Sequence, residues 1–206
     1  NLEIKGFKLD GTDFAGNPFL GQIAQNGIDS WYADKVRIYD NYVIGIENYG
    51  IWFSHGEDAI INGNTVENAS EQFEIAQDVK DVIVSNNISI GGNITINNYL
   101  AYGNAQNIKF IGNTAKGSGY GFTISYSNGG CSNISIENSF IDVLSDSGGT
   151  SHGIQIDGSS LYDTTDVRII NNYIKAKDTL STAIKITGNE ILNDITIQGN
   201  HIYSPN

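Results

Sequence analysis

Ala59-Ile60-Ile61-Asn62-Gly63-Asn64-Thr65-Val66 is one copy of a pattern that organises the whole chain. The pattern is apolar, any, apolar, two further residues, asparagine, any, apolar. Upstream it reads Val36-Arg37-Ile38-Tyr39-Asp40-Asn41-Tyr42-Val43, and first Leu2-Glu3-Ile4-Lys5-Gly6-Phe7-Lys8-Leu9, with phenylalanine in the asparagine slot. Downstream it returns around Asn87, Asn113, Ser139, Asn172 and Asn200. The slots at 7, 41, 64, 87, 113, 139, 172 and 200 are spaced by 34, 23, 23, 26, 26, 33 and 28 residues. Unequal spacing above a fixed minimum marks a solenoid, in which the coil has one length and insertions become loops. Longer loops are expected before Asn41, Asn172 and, to a lesser degree, Asn200. An asparagine amide turned inward at a corner can bond the backbone and the amide of the next coil. The slot therefore predicts a ladder, and asparagine is expected to take the left-handed conformation that a sharp corner needs.

Between slots lies a second strand of period two, read from Gly27-Ile28, Gly50-Ile51, Gln72-Phe73, Asn93-Ile94, Gly121-Phe122, Gly153-Ile154 and Ala183-Ile184. No segment carries a helical period. Composition agrees: 32 Ile against 8 Leu favours a pleated surface over helix. With 39% hydrophobic and 17% charged residues the chain is not a disordered one. No apolar run reaches the length of a membrane-spanning helix. The expected fold is all-β, a parallel β-helix solenoid of about eight coils with an asparagine ladder, one domain over residues 1–206. Over nearly all of its length the chain resembles the right-handed parallel β-helix proteins of the pectate-lyase-like superfamily. That resemblance implies a scaffold used by lyases, hydrolases, epimerases, phage tailspikes and inert rods. Both ends fall within repeat copies, and the sequence has neither an initiator Met nor a signal peptide, so it reads as part of a longer chain.

Eleven Lys and Arg against 23 Asp and Glu give a net charge of −12. Without a basic cluster, nucleic acid is excluded as an expected partner. The same charge repels polyuronates unless Ca²⁺ bridges them, which makes Ca²⁺ the one ion to consider; no cofactor is implied. The single Cys131 rules out an internal disulfide, and no His/Cys/carboxylate spacing suggests zinc.

In a solenoid the outward positions of equivalent strands stack in columns. Aligning the second strands places Asp29, Trp52 and Glu74 in one column, Tyr49 and Glu71 in another, and Trp31 in a third, with His55 just past its strand. Aromatic rings pack on the apolar faces of sugars, and carboxylates bond hydroxyls or transfer protons. Asp29, Glu74 and Glu71 are the candidate catalytic residues; Trp31, Trp52, Tyr49 and His55 are the candidate substrate-binding residues. Asp29 and Glu74, two coils apart, fall near the separation of an inverting glycosidase pair. The start of the chain and Tyr49-Gly50 look like the mannuronan C-5 epimerases, which carry Tyr-Gly-Phe-Asp-Pro-His at this place. Here Trp52 holds the position of the family's Asp and Ser54 that of its His, with His55 one residue late.

These readings point to an extracellular, secreted or virion-surface β-helix that binds polysaccharide along its N-terminal coils and cleaves it as a glycoside hydrolase, with lyase or epimerase chemistry less favoured. The alternatives are a non-catalytic glycan-recognition module of a tail fibre, spike or adhesin, and a purely structural rod. Exposed aromatics and open sheet edges also suggest a homotrimer.

Overall fold

The computed structural model describes residues 2–11, 25–92, 95–125, 129–144, 151–158, 163–176, 182–188 and 192–203. All regular structure among them is β-strand, arranged in three parallel sheets. The first sheet has eight strands, from Leu2–Lys5 to Leu192–Gln198, and the second has eight, from Lys8–Asp10 to His201–Tyr203. The third has seven: Asn26–Trp31, Tyr49–Ser54, Glu71–Ala76, Asn97–Tyr102, Tyr120–Ser125, His152–Gly158 and Thr182–Gly188. Each strand pairs with its equivalent one coil away, and the three sheets follow one another around every coil. The chain is a parallel β-helix. Seven turns carry all three sheets, fewer than the eight expected, because the eighth copy supplies only first- and second-sheet strands among the described residues. The insertions expected before Asn41, Asn172 and Asn200 fall largely on residues 12–24, 145–150, 159–162, 177–181 and 189–191, outside the described residues.

The pleat sends alternate side chains inward, and β-branched residues fill the interior. Ile38, Ile61, Val84, Phe110 and Ile136, successive inward residues of the first sheet, are fully or almost fully buried. From the third sheet, Phe73, Tyr99 and Phe122 stack with ring centroids 4.9 and 4.5 Å apart. This stack corrects the reading of the fourth coil. The inward slot belongs to Tyr99, paired with Phe73 and Phe122, and the strand runs from Asn97 to Tyr102. Ile94, assigned there from its alternating neighbours, lies with Asn93 outside the described residues, and Ile96 is exposed. Tyrosine suits the interior because its hydroxyl lies 2.9 Å from the carbonyl of Asn87 and 3.0 Å from that of Thr114.

The ladder forms as expected. Asn41, Asn64 and Asn87 each donate a side-chain N–H to the amide oxygen of the next asparagine, at 2.9, 3.0 and 3.2 Å. The second N–H of each reaches back to a first-sheet carbonyl, of Ile4, Ile38 and Ile61 respectively. Each amide oxygen also accepts the backbone N–H of the slot before it. Ser139 continues the column with one hydroxyl, accepting from the Asn113 backbone at 3.2 Å and donating to the Glu137 carbonyl. The left-handed residue is not the asparagine but the one before it: Gly6, Asp40, Gly63, Asn86, Gly112, Asn138, Asn171 and Gly199 all have positive φ. The corner thus divides the labour, one residue making the turn and the next filling it with hydrogen bonds. On the third sheet Gly50 has a different purpose, because a Cβ there would lie 2.3 Å from Val66 Cγ1 and 2.7 Å from the Gln72 carbonyl.

Asn64→Leu should destabilise the fold by about 2–4 kcal/mol, since it strips partners from the Asn41 backbone N–H, the Ile38 carbonyl and the Asn87 amide. Asn113→Leu should act similarly. Chemical denaturation checks both, and a neutral effect at the two sites would contradict the ladder's structural role.

Candidate functional site: an aromatic and carboxylate face on the third sheet

The register brings the seven candidate residues onto the first three turns. Asp29, Trp52, Glu74 and Leu100 are consecutive in one outward column. Asn26, Tyr49, Glu71 and Asn97 form a second. Trp31, Ser54, Ala76 and Tyr102 form a third. His55 stands at the corner beyond Ser54 with φ of 51°.

Stacked strands hold like positions one strand spacing apart, so aromatic side chains in neighbouring coils meet. Trp31 lies 5.4 Å from Trp52 and 5.7 Å from His55, centroid to centroid. Tyr49 adjoins Trp52 at 4.8 Å. Trp31 is 53% exposed and Tyr32 73%, so the aromatic surface faces water and not the core. Three polar atoms beside it are buried and make no hydrogen bond: the Trp52 indole N–H, Glu71 Oε2 and Asn26 Oδ1. Such orphaned groups are rare in folded proteins and mark places where a partner is missing.

The three carboxyls have different surroundings. Asp29 is exposed and accepts a hydrogen bond from the Asn26 amide at 3.2 Å. Burial pushes the Glu71 carboxyl up to about 7, against hydrogen bonds from Asn97 that hold it down. Burial also pushes Glu74 up to about 7; the Tyr102 hydroxyl, donating at 3.0 Å, opposes that rise, and the negative charges of Glu71 and Asp29 add to it. Glu74 is only 1% exposed. The Tyr49 hydroxyl is likewise raised, by burial first and then by the three carboxylates. Two carboxyls that share protons with water near neutrality can act as acids or bases there. Among the described residues no three His, Cys, Asp or Glu side chains group to hold a metal ion, and no helix is long and apolar enough to cross a membrane.

Sequence reasoning missed three neighbours. Tyr32 stacks on Trp31 and meets His55 at 4.6 Å. It follows its strand as His55 follows Ser54, and that shared offset was the available signal. Asn97 and Tyr102 were hidden by the misplaced fourth strand. Further along the column of Tyr49 and Glu71, His152 stacks flat on Tyr120 at 5.3 Å and is buried, which lowers its pKa, with Lys185 adding to the effect.

Glu71 and Glu74 hold protons more tightly folded than unfolded. Their contribution to stability is therefore complete below the ordinary carboxyl pKa of 4.5 and is lost as the pH rises to about 7. The loss is on the order of 2–3 kcal/mol for each. Thermal melts should show a lower Tm at pH 8 than at pH 5, and Glu74→Gln should shrink that difference. An unchanged difference in the variant would contradict the burial of an ionising group at this position.

No protein-family model matches the sequence, and no curated protein does. Solved structures are similar in fold. The periplasmic alginate epimerase AlgG aligns with a TM-score of 0.64 at 13% identity, over 98% of this chain and 51% of that one. The A-module of the Azotobacter vinelandii mannuronan C-5 epimerase AlgE6 aligns with a TM-score of 0.58 at 12% identity, over 100% of this chain and 59% of that one. The chain thus spans between half and three fifths of the length of these structures, and at such identity what it shares with them is the parallel β-helix.

Proposed function

We propose that the chain is a polysaccharide-acting β-helix of the cell exterior, periplasm or virion surface. It binds glycan across Trp31, Trp52 and Tyr49 and hydrolyses it by proton transfer from Glu71, with Asp29 as the base that activates water. The observation that carries this reading is the group of buried, unpartnered polar atoms beside an exposed aromatic surface. A sugar hydroxyl, which both donates and accepts, would satisfy Trp52 Nε1 and Asn26 Oδ1 once the side chains that cover them shift, since both atoms are closed to solvent as the chain stands. The rings supply the apolar half of the match. Glu71 is half-buried and holds its proton up to about pH 7, as a general acid must. Its backbone lies two strand spacings and three residues along the strand from that of Asp29, roughly 14 Å in all, so the two side chains must lean toward each other to hold a sugar and a water between them. That two similar folds belong to alginate and mannuronan epimerases supports a polysaccharide as the ligand.

A second reading is a glycan-recognition module without catalysis. It is favoured by Glu74, whose near-complete burial under a tyrosine hydrogen bond keeps it from a substrate.

Release of reducing ends from a polysaccharide panel tests the first reading. Turnover should fall as the pH passes about 7, where Glu71 loses its proton. Glu71→Gln and Asp29→Asn should each lower turnover by about 10²-fold or more while binding survives. Trp52→Ala should weaken glycan binding by about 1–3 kcal/mol with little loss of stability. Binding without hydrolysis at any pH selects the recognition module, and absence of binding to the whole panel overturns both.

A further inference from the structure

We propose that the outer face of the first sheet is a second binding site, separate from the third-sheet face, and that it takes an anionic oligosaccharide. A groove of about 690 Å³ lies there. Its floor is the outward column Arg37, Ile60, Ile83, Lys109, four residues consecutive in register across four coils. Its wall is a row of left-handed residues: Lys35, Asp58, Asp81, Asn107 and Asn133 all have positive φ. Each stands one coil from the next. Asn133 donates to Asn107 Oδ1 at 2.8 Å and Asn107 to Asp81 Oδ1 at 2.7 Å, which stiffens the wall.

The groove gathers three cations, Lys35, Arg37 and Lys109, with two carboxylates, Asp58 and Asp81. The chain has more than twice as many acids as cations. The ion pairs among the described residues engage Lys8, Lys80 and Arg168. Lys35, Arg37 and Lys109, like Lys5, Lys116, Lys175 and Lys185, belong to none of them; what sets these three apart is that they line one groove. Arg37 is held in place by hydrogen bonds to the carbonyls of Val36 and Asp58, at 3.1 and 3.0 Å, so its remaining N–H groups are presented without a carboxylate. Beyond Lys109 in the same column, the Ser135 hydroxyl is buried and unpartnered.

Between the cations the floor is aliphatic, and Ile83 is 38% exposed. Arg37 and Lys109 are three strand spacings apart, about 14 Å. The site therefore offers positive charge at both ends of an apolar strip, flanked by carboxylates and amides. Sugar rings satisfy all three features. Their C–H faces lie on Ile60 and Ile83, their hydroxyls donate to Asp58 and Asp81, and their anionic substituents reach Arg37 and Lys109. A peptide strand fits less well, because the backbone of this sheet is already paired between neighbouring coils. Duplex nucleic acid needs a longer cationic track without acids in its wall.

The test is a titration of the ¹⁵N-labelled chain with a tetragalacturonate, a sulfated tetrasaccharide, cellotetraose and inorganic sulfate. An acidic tetrasaccharide should move the amides of strands Val36–Tyr39, Glu57–Asn62, Val79–Ser85 and Ala105–Ile111, saturably and more weakly as salt rises. Whichever acidic tetrasaccharide binds more tightly identifies the anionic group. Lys109→Gln and Arg37→Gln should each weaken binding by about tenfold. Ile83→Glu, at a water-facing position, should block it, and Trp52→Ala should leave it unchanged. The proposal is overturned if cellotetraose produces the same shifts, if inorganic sulfate alone reproduces them at the same concentration, if shifts are confined to the third sheet, or if Lys109→Gln and Ile83→Glu bind as the parent does. Because Trp52→Ala reports on the third sheet alone, failure here is distinguishable from failure of the hydrolase reading.

Discussion

The inward-facing corner between the first and second sheets is the constraint on which the rest depends. Two backbone groups there, the slot N–H and the carbonyl three residues before the slot, find their partners in asparagine side chains and not in a neighbouring strand. An asparagine answers this with two donors and an acceptor, each of which finds a partner in the same coil or an adjacent one. Once that exchange repeats, the path of the coil between corners must repeat as well. Residues can be added only where the chain swings outward, and the ladder stays in register from Asn41 to Asn113 although coil length changes from 23 to 26 residues.

From that regularity the functional faces follow. A column of outward positions places residues distant in sequence one strand spacing apart, so a tryptophan and a glutamate 22 residues apart, Trp52 and Glu74, become neighbours. Crowding then alters their chemistry. Glu71 and Glu74 hold protons near neutrality because tyrosine, tryptophan and leucine flank them in the columns, displacing the water that would stabilise their charge. The first sheet obeys the same geometry with different residues: isoleucine in the middle of the column and cations at its ends.

Most of this was legible from the repeat. The fold, the ladder and the neighbourhood of Asp29, Trp52 and Glu74 depend only on period, and period survives in a single sequence. The fourth coil was misread because Ile94-Thr95-Ile96 imitates a strand, while the true inward residue is a tyrosine with a polar group. Distance to the next slot does not separate the two: Tyr99 precedes Asn113 by 14 residues, as Phe73 precedes Asn87, but Phe122 precedes Ser139 by 17 and Ile154 precedes Asn172 by 18. The left-handed residue was placed one position late because asparagine suits both tasks at the corner, bending and bonding, and only the backbone separates them. The raised carboxyls could not be read at all, since burial depends on which side chains cover a position and not on its spacing. The orphaned atoms were hidden for the same reason.

Ser139 has a consequence for how the rod comes apart. A serine offers one hydroxyl where an asparagine offers a whole amide, so the coupling between the turns on either side of it carries fewer hydrogen bonds than the couplings from Asn41 to Asn113. In a structure whose stability is a sum of nearest-neighbour terms, the weakest coupling is where cooperativity divides. Ser139 is therefore the seam in the ladder at which the rod should divide first, with the strand pairs of the three sheets left to hold it. Every residue of the third-sheet site, Tyr102 included, lies before that seam, whereas in the first-sheet groove Asn133 stands on the serine's own coil and donates across the seam to Asn107. A glycan held on the third-sheet face would stiffen the turns before the seam alone, and one held in the first-sheet groove would brace the seam itself.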